Sequence, residues 1–206
     1  MRTPHDRFRI AEDALLLRRF VATAPLLTLI EAIAAAAPFR QLLSPFGGRM
    51  SVAMTNCGAW GWHSDRGGYR YVDRDPGSGR AWPPMPAEFA GLARNAADAA
   101  GFPGFAPDCG LVNRYAVGAQ MGAHRDYDEL DMRHPIVSVS IGLPATFLWY
   151  GATRKGPPLR IPVADGDVVV WGGSARDAYH GVRRLAAPAG APQSVLRYNL
   201  TFRRAK

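Results

Sequence analysis

Cysteine is scarce: the chain of 206 residues has two, Cys57 and Cys109. They lie far apart and form no ligand-spaced pair, which excludes a thiolate metal cluster and a disulfide-stapled scaffold. An apolar signal region is also missing, because Met1 to Phe8 is polar and carries Pro4, His5 and Asp6. Inert, reduced thiols in a cytoplasmic protein are therefore expected. Long hydrophobic runs are absent as well. The most apolar segment, Pro25 to Phe39, contains Glu31 and is too short to span a bilayer, so no membrane partner is expected. Tandem repeats and low-complexity tracts are absent too. Acidic residues are the last deficit, 17 against 25 Lys plus Arg, for a net charge of +8. That sign favours a polyanionic partner, because each neutralised phosphate releases condensed counterions.

What is present is ordinary globular material, 48% hydrophobic and 20% charged. A chain of this length forms one domain and buries roughly 70% of its unfolded surface; a monomer is expected. Two stretches have helical periodicity. Thr23, a candidate N-cap, opens a run of Leu, Ile and Ala that Pro38 stops. Pro86 to Ala100 opens on Pro and Glu88 and ends at Gly101, with Phe89, Leu92, Ala93 and Ala96 as its buried stripe. Between them, Ser44 to Arg80 is rich in glycine, aromatics and arginine, with strand-like Met50–Thr55 and Tyr69–Val72. Its aromatics interleave with Arg49, Arg66, Arg70 and Arg74, which suits base stacking beside phosphates or a hairpin packed on the core. After Gly101 come short β-type runs: Leu111–Tyr115, Pro135–Leu143, Thr146–Tyr150, Asp167–Trp171 and Val195–Arg203. Ala186 to Ala191 reads as a surface loop. The pattern predicts a mainly β, jelly-roll core with flanking helices.

The sharpest chemical signal is His124-Arg125-Asp126. On an extended chain, residues two apart share a face, so His124 and Asp126 can grip one ion. His180 is a candidate third ligand. Two histidines and a carboxylate suit a non-heme iron(II) oxygenase, although the same residue types can hold hydrolytic zinc. The ending Arg197-Tyr-Asn-Leu-Thr-Phe-Arg203 separates these choices. Strict alternation puts Arg197, Asn199, Thr201 and Arg203 on one face and Tyr198, Leu200 and Phe202 on the other. Two arginines inside a barrel need anions, and a small dicarboxylate satisfies both. Asn113 and Tyr115 share a face of their strand and offer further polar contacts.

With His124-x-Asp126, His180 and this ending, the chain resembles the AlkB family of DNA-repair dioxygenases. The likeness runs from about residue 15 to the end. It includes Met50-Ser-Val-Ala-Met-Thr-Asn-Cys57, Asn113-Arg-Tyr115, Pro135-Ile-Val-Ser-Val-Ser140 and Gly166-Asp-Val-Val-Val-Trp-Gly-Gly173. The resemblance implies a single domain over residues 1–206. About 44–80 would be a nucleotide-recognition lid and about 108–206 a double-stranded β-helix. It implies iron(II) on His124, Asp126 and His180, with 2-oxoglutarate as co-substrate. The distal carboxylate would meet Arg197, helped by Tyr115 and Asn199, and Asn113 and Arg203 would meet the iron-side carboxylate. Dioxygen would be consumed as 2-oxoglutarate becomes succinate and CO2, and the hydroxylated alkyl group would leave as formaldehyde.

The substrate implied is alkylated DNA, single- or double-stranded, or RNA, with lesions such as 1-methyladenine and 3-methylcytosine. The base must be extruded to reach the metal. By the resemblance, Trp62 stacks that base opposite His124, and Asp128 sits beside its exocyclic nitrogen. Tyr69, Tyr71, Met54 and Arg154 match lid or nucleotide positions. Tyr127 stands where a lysine is familiar, and Gln120 replaces a basic residue; both remove charge near the expected nucleic-acid track. Gly58–Gly68 and Ala175–Tyr179 also depart from the familiar pattern. The competing readings are the same core acting on RNA, a protein or a small molecule, and a non-catalytic nucleic-acid-binding jelly roll. The full set of metal ligands and arginines argues against the last.

Overall fold

The computed structural model describes residues 6–187, 190 and 196–206. Fourteen strands and two α-helices form three antiparallel sheets among these residues. The chain begins β1 (Arg7–Ala11), β2 (Ala14–Leu17), α1 (Ala24–Ala36), β3 (Arg40–Leu43) and β4 (Arg49–Gly58). A hairpin of β5 (Gly61–Asp65) and β6 (Gly68–Val72) precedes α2 (Ala87–Ala99). Then come β7 (Cys109–Tyr115), β8 (Met121–His124), β9 (Ile136–Gly142), β10 (Ala145–Gly151) and β11 (Leu159–Val163). The chain ends with β12 (Val168–Trp171), β13 (Tyr179–Val182) and β14 (Arg197–Arg203).

The large sheet runs β1-β2-β12-β9-β14-β7-β4-β3, and the small one β11-β10-β13-β8. Alternation explains how one sheet serves two interiors. Val137, Val139 and Ile141 of β9, Val168 and Val170 of β12, and Leu200 and Phe202 of β14 are all buried. They form one cluster with Leu26, Ile30 and Ile33 of α1 and Phe89, Leu92, Ala93 and Ala96 of α2. The intervening residues point the other way, toward the small sheet. There Leu16, Ile136, Val169 and Trp171 meet Phe147, Trp149, Ile161 and Val163 in a second cluster. Both helices thus cover the outside of the large sheet, and the space between sheets is left for the site.

Both expected helices are present, and the stripe Phe89, Leu92, Ala93, Ala96 is buried. Thr23 occupies the N-cap of α1 without a side-chain cap bond. Its hydroxyl instead donates to Asp165 Oδ2 at 2.7 Å, and Asp165 Oδ1 accepts from the Gly142 amide at 2.7 Å. The strands missed by sequence pattern are the short ones: β1, β2, β3, β5, β8, β11 and β13 have four or five residues each. Pro162 disguises β11, where it is tolerated because that strand is an edge of the small sheet. β4, within the stretch 44–80, belongs to the large sheet, while among the described residues β5 and β6 pair only with each other. Of the expected loop Ala186–Ala191 and the strand start Val195, residues 188, 189, 191 and 195 lie outside the described set. Cys57 and Cys109 are free and buried, and burial pushes both thiols up, Cys109 to about 12. That makes them unreactive.

Candidate active site

The small sheet brings two histidines side by side. In the β8–β13 ladder His180 pairs directly with His124, and their rings are 4.3 Å apart between centroids. Asp126 follows β8 and turns inward. Its Oδ1 is 3.8 Å from His124 Nε2 and its Oδ2 is 3.8 Å from His180 Nε2. The three ligand atoms all lie within 4.8 Å of one another.

Local backbone sets the tautomers. His124 Nδ1 lies 2.9 Å from the Gly122 carbonyl and His180 Nδ1 lies 3.0 Å from the Ala178 carbonyl. A carbonyl can only accept, so each Nδ1 carries hydrogen and each Nε2 presents a lone pair to the cluster. Burial, aided by the neighbouring His124, lowers the His180 pKa to about 3, which keeps the ring neutral. For Asp126 burial works against ionisation, but the charge and hydrogen bonds of Arg203 outweigh it and hold the carboxyl below its usual range. Two neutral imidazoles and one carboxylate fit iron(II).

Gly181 makes this pairing possible. A Cβ there would lie 2.7 Å from the Met121 carbonyl oxygen and 3.1 Å from that of Gly122, both backbone atoms of β8. Gly181→Ala is expected to push β13 off β8, at a cost of about 1–3 kcal/mol for overpacking. A lower Tm with weaker iron binding would show this; unchanged iron affinity would mean that the ladder does not set the His124–His180 spacing.

A cavity of about 780 Å³ opens beside the cluster and receives the inward face of the large sheet. All four inward residues of β14, Arg197, Asn199, Thr201 and Arg203, line it, as do Asn113 and Tyr115 of β7. The antiparallel register sets Arg197 opposite Tyr115 and Asn199 opposite Asn113. Arg197 is 2% exposed; it donates to Ser140 Oγ at 3.0 Å and to the Leu143 carbonyl at 3.3 Å. It forms no ion pair among the described residues, and its Nε lacks a partner, as do Arg203 Nη1 and Asn113 Oδ1. Buried guanidinium groups with spare donors fit a small dicarboxylate. Asn199 also donates to Ser138 Oγ at 2.8 Å and the Val139 carbonyl at 3.0 Å. Its carbonyl oxygen accepts from Thr201 Oγ1 at 2.9 Å, so Asn199 holds the floor of the cavity.

Arg203 does something that alternation alone did not reveal. Its Nε and Nη2 both donate to Asp126 Oδ2, at 3.2 and 2.8 Å. It also meets Glu129 Oε1 at 3.3 Å. Glu129 is itself buried, paired through Oε2 with Arg176 Nη2 at 3.0 Å. Arg176 further donates to the carbonyls of Asp126 and His134, each at 2.8 Å. Sequence reasoning missed Glu129 and Arg176. The available signals were an acidic run, Asp126-x-Asp128-Glu129, and an arginine inside the departing segment Ala175–Tyr179.

The β5–β6 hairpin contributes to the same cavity. Met54, Trp62, Tyr69, Asp128 and Arg154 all line the cavity. Trp62 and Tyr69 are stacked with centroids 5.5 Å apart, and Trp62 Nε1 donates to Asp128 Oδ2 at 2.9 Å. Burial and the nearby Glu129 and Asp126 raise the Asp128 pKa against the pull of the Trp62 bond. Tyr71 is different. It does not line the cavity but donates to Glu129 Oε1 at 2.6 Å, so it anchors the hairpin to the buried ionic cluster. Of the arginines between residues 44 and 80, Arg70 is held by Asp65 at 2.7 Å, while Arg49 and Arg66 are exposed.

Residues 13–203 match the family model described as the 2OG-Fe(II) oxygenase superfamily. The chain belongs to that superfamily. It is 50% identical over 198 residues to the alpha-ketoglutarate-dependent dioxygenase AlkB of Escherichia coli K12, covering 95% of this chain and 92% of that one. The AlkB homolog of Caulobacter vibrioides CB15 is 44% identical over 187 residues, 86% of this chain and 81% of that one. The structure of OsALKBH1 superposes with a TM-score of 0.84 at 25% identity, covering 97% of this chain and all of that one. The oxygenase depends on iron(II), 2-oxoglutarate and dioxygen, and its mainly β architecture with two helices is the one expected. No helix among the described residues is long and apolar enough to cross a membrane.

Proposed function

We propose that this oxygenase removes alkyl groups from damaged bases of DNA, and of RNA, by oxidative dealkylation. The observation that carries the reading is the slot beside the ligand cluster. Trp62 and Tyr69 supply a stacked aromatic pair and Asp128 an acceptor, and His124 lines the same cavity. A flat heterocycle is the ligand such a slot suits, and a cationic methylated base gains from the carboxylate. Likeness to proteins named AlkB supports the same reading. So do exposed Arg49 and Arg66 and the overall charge of +8.

In this reading His124, Asp126 and His180 hold iron(II), and Arg197 takes the distal carboxylate of 2-oxoglutarate, helped by Tyr115 and Asn199. Asn113 and Arg203 face its other end. Iron(II) with 2-oxoglutarate and dioxygen supplies the oxidising power that hydroxylates the alkyl carbon. The protein binds, orients and excludes water. Phe147 and Trp171 pack against the His180 ring at 5.7 and 4.8 Å and give that ligand a dry wall. Arg203 fixes the carboxylate of Asp126, and Trp62 and Asp128 fix the base. The hydroxylated carbon then departs as formaldehyde, and the base nitrogen regains its native form.

We further read the chain as a single domain with a lid at about 44–80, working as a monomer in the cytoplasm. Formaldehyde release from a methylated oligonucleotide, set against a methylated peptide, tests the substrate class. Release from the oligonucleotide alone is expected; release from the peptide alone would move the enzyme to another class of substrate.

A further inference from the structure

Tyr127 lies between Asp126 and Asp128, where the family resemblance leads one to expect lysine. It is 54% exposed and lines the mouth of the active-site cavity. A large aromatic left in water at such a place is held there by its neighbours. The Arg125 guanidinium lies over the Tyr127 ring at 5.1 Å and over the Tyr179 ring at 5.5 Å. Arg125 is fixed in turn, its Nη1 donating to both carboxylate oxygens of Asp177 at 3.1 and 3.0 Å. Arg125, held by Asp177, thus contacts both rings, Tyr127 and Tyr179. Asp177 offsets the charge of Arg125, so this lip presents a ring rather than a free cation.

We propose that Tyr127 is a substrate-binding platform on which the base next to the extruded lesion stacks. The inference rests on the nucleic-acid reading above and deepens it. Extruding a base strips its neighbour of a stacking partner, and an aromatic face replaces that partner whatever the neighbour's identity. Trp62 cannot serve both bases, because its ring lies inside the slot against Tyr69. A lysine here would act on phosphate and add to the salt dependence of binding, whereas a stacked tyrosine would not.

The test compares Tyr127→Ala, Tyr127→Phe and the wild type on a short methylated single strand and on the methylated mononucleotide, across a salt series. The alanine variant should raise KM for the oligonucleotide about tenfold, the size of one lost base–aromatic stack. It should leave kcat within about twofold, leave the mononucleotide unaffected and leave the salt slope unchanged, and the phenylalanine variant should behave as wild type. In anaerobic binding, 2-aminopurine placed beside the lesion should be quenched by wild type and Tyr127→Phe and stay bright with Tyr127→Ala. Equal losses for Ala and Phe would assign the effect to the hydroxyl and overturn the proposal. A flattened salt slope, or an equal loss on the mononucleotide, would overturn it as well. A wild type that demethylates neither substrate would remove the nucleic-acid reading itself, and this inference with it.

Discussion

Asp126→Asn is expected to cut turnover by on the order of a thousandfold, about 4 kcal/mol of lost transition-state stabilisation, while leaving the fold in place. The substitution keeps the shape of the side chain and an oxygen that can accept from Arg203. Glu129, 3.3 Å from Arg203, still balances the buried guanidinium. What disappears is the one anionic donor among the three ligand atoms clustered within 4.8 Å. Asp126→Ala should show the same loss of turnover but a lower Tm, because Arg203 then loses its closest carboxylate, now 2.8 Å away. Anaerobic iron(II) titration and circular dichroism separate these outcomes. Undiminished turnover in the Asn variant would remove Asp126 from the metal site.

Arg197→Met should weaken 2-oxoglutarate binding about a hundredfold, the loss of about 3 kcal/mol of charge-assisted hydrogen bonding. Its effect on stability should have an unusual sign. Arg197 is 2% exposed and forms no ion pair among the described residues, so in the free protein it is a buried cation without a carboxylate. An apolar side chain of similar volume removes that burden, and the Tm of the free variant should not fall. In the wild type, 2-oxoglutarate at about a hundred times its Kd should add about 2.7 kcal/mol, which is roughly 5–10 °C in Tm for a chain of this size. The variant should show almost none of that shift. Thermal melts with a redox-inert divalent metal in place of iron check both halves without any turnover. An equal ligand shift in the two proteins would place the distal carboxylate elsewhere.

The legible parts of the molecule were those in which a period and a chemical type coincide. β14 is the clearest case: its alternation sorted four polar residues from three apolar ones, and the structure lines the cavity with the first set. Leu200 and Phe202 of the second set lie in the helix-side core. The strands β8 and β13, which hold His124 and His180, were not legible as strands. Each has four residues, and Gly122 and Gly181 interrupt the β signal. His124, Asp126 and His180 could still be singled out by residue type, and the structure clusters them. What Tyr71 touches within the hairpin was not legible: its hydroxyl donates to the buried Glu129. Glu129 and Arg176 were missed for a related reason. Composition places charged side chains on the surface, and only packing reveals that these two neutralise each other inside, 3.0 Å apart.

The central claim is most directly tested by loading the protein with iron(II) and 2-oxoglutarate without oxygen, then admitting air with an oligonucleotide that carries one 3-methylcytosine. Mass spectrometry follows the strand, and succinate and formaldehyde are assayed in the same tube. The account predicts loss of one methyl group per strand, with succinate and formaldehyde formed in equal amounts. An intact methylated strand alongside accumulated succinate would contradict it, leaving a dioxygenase whose substrate is not an alkylated base.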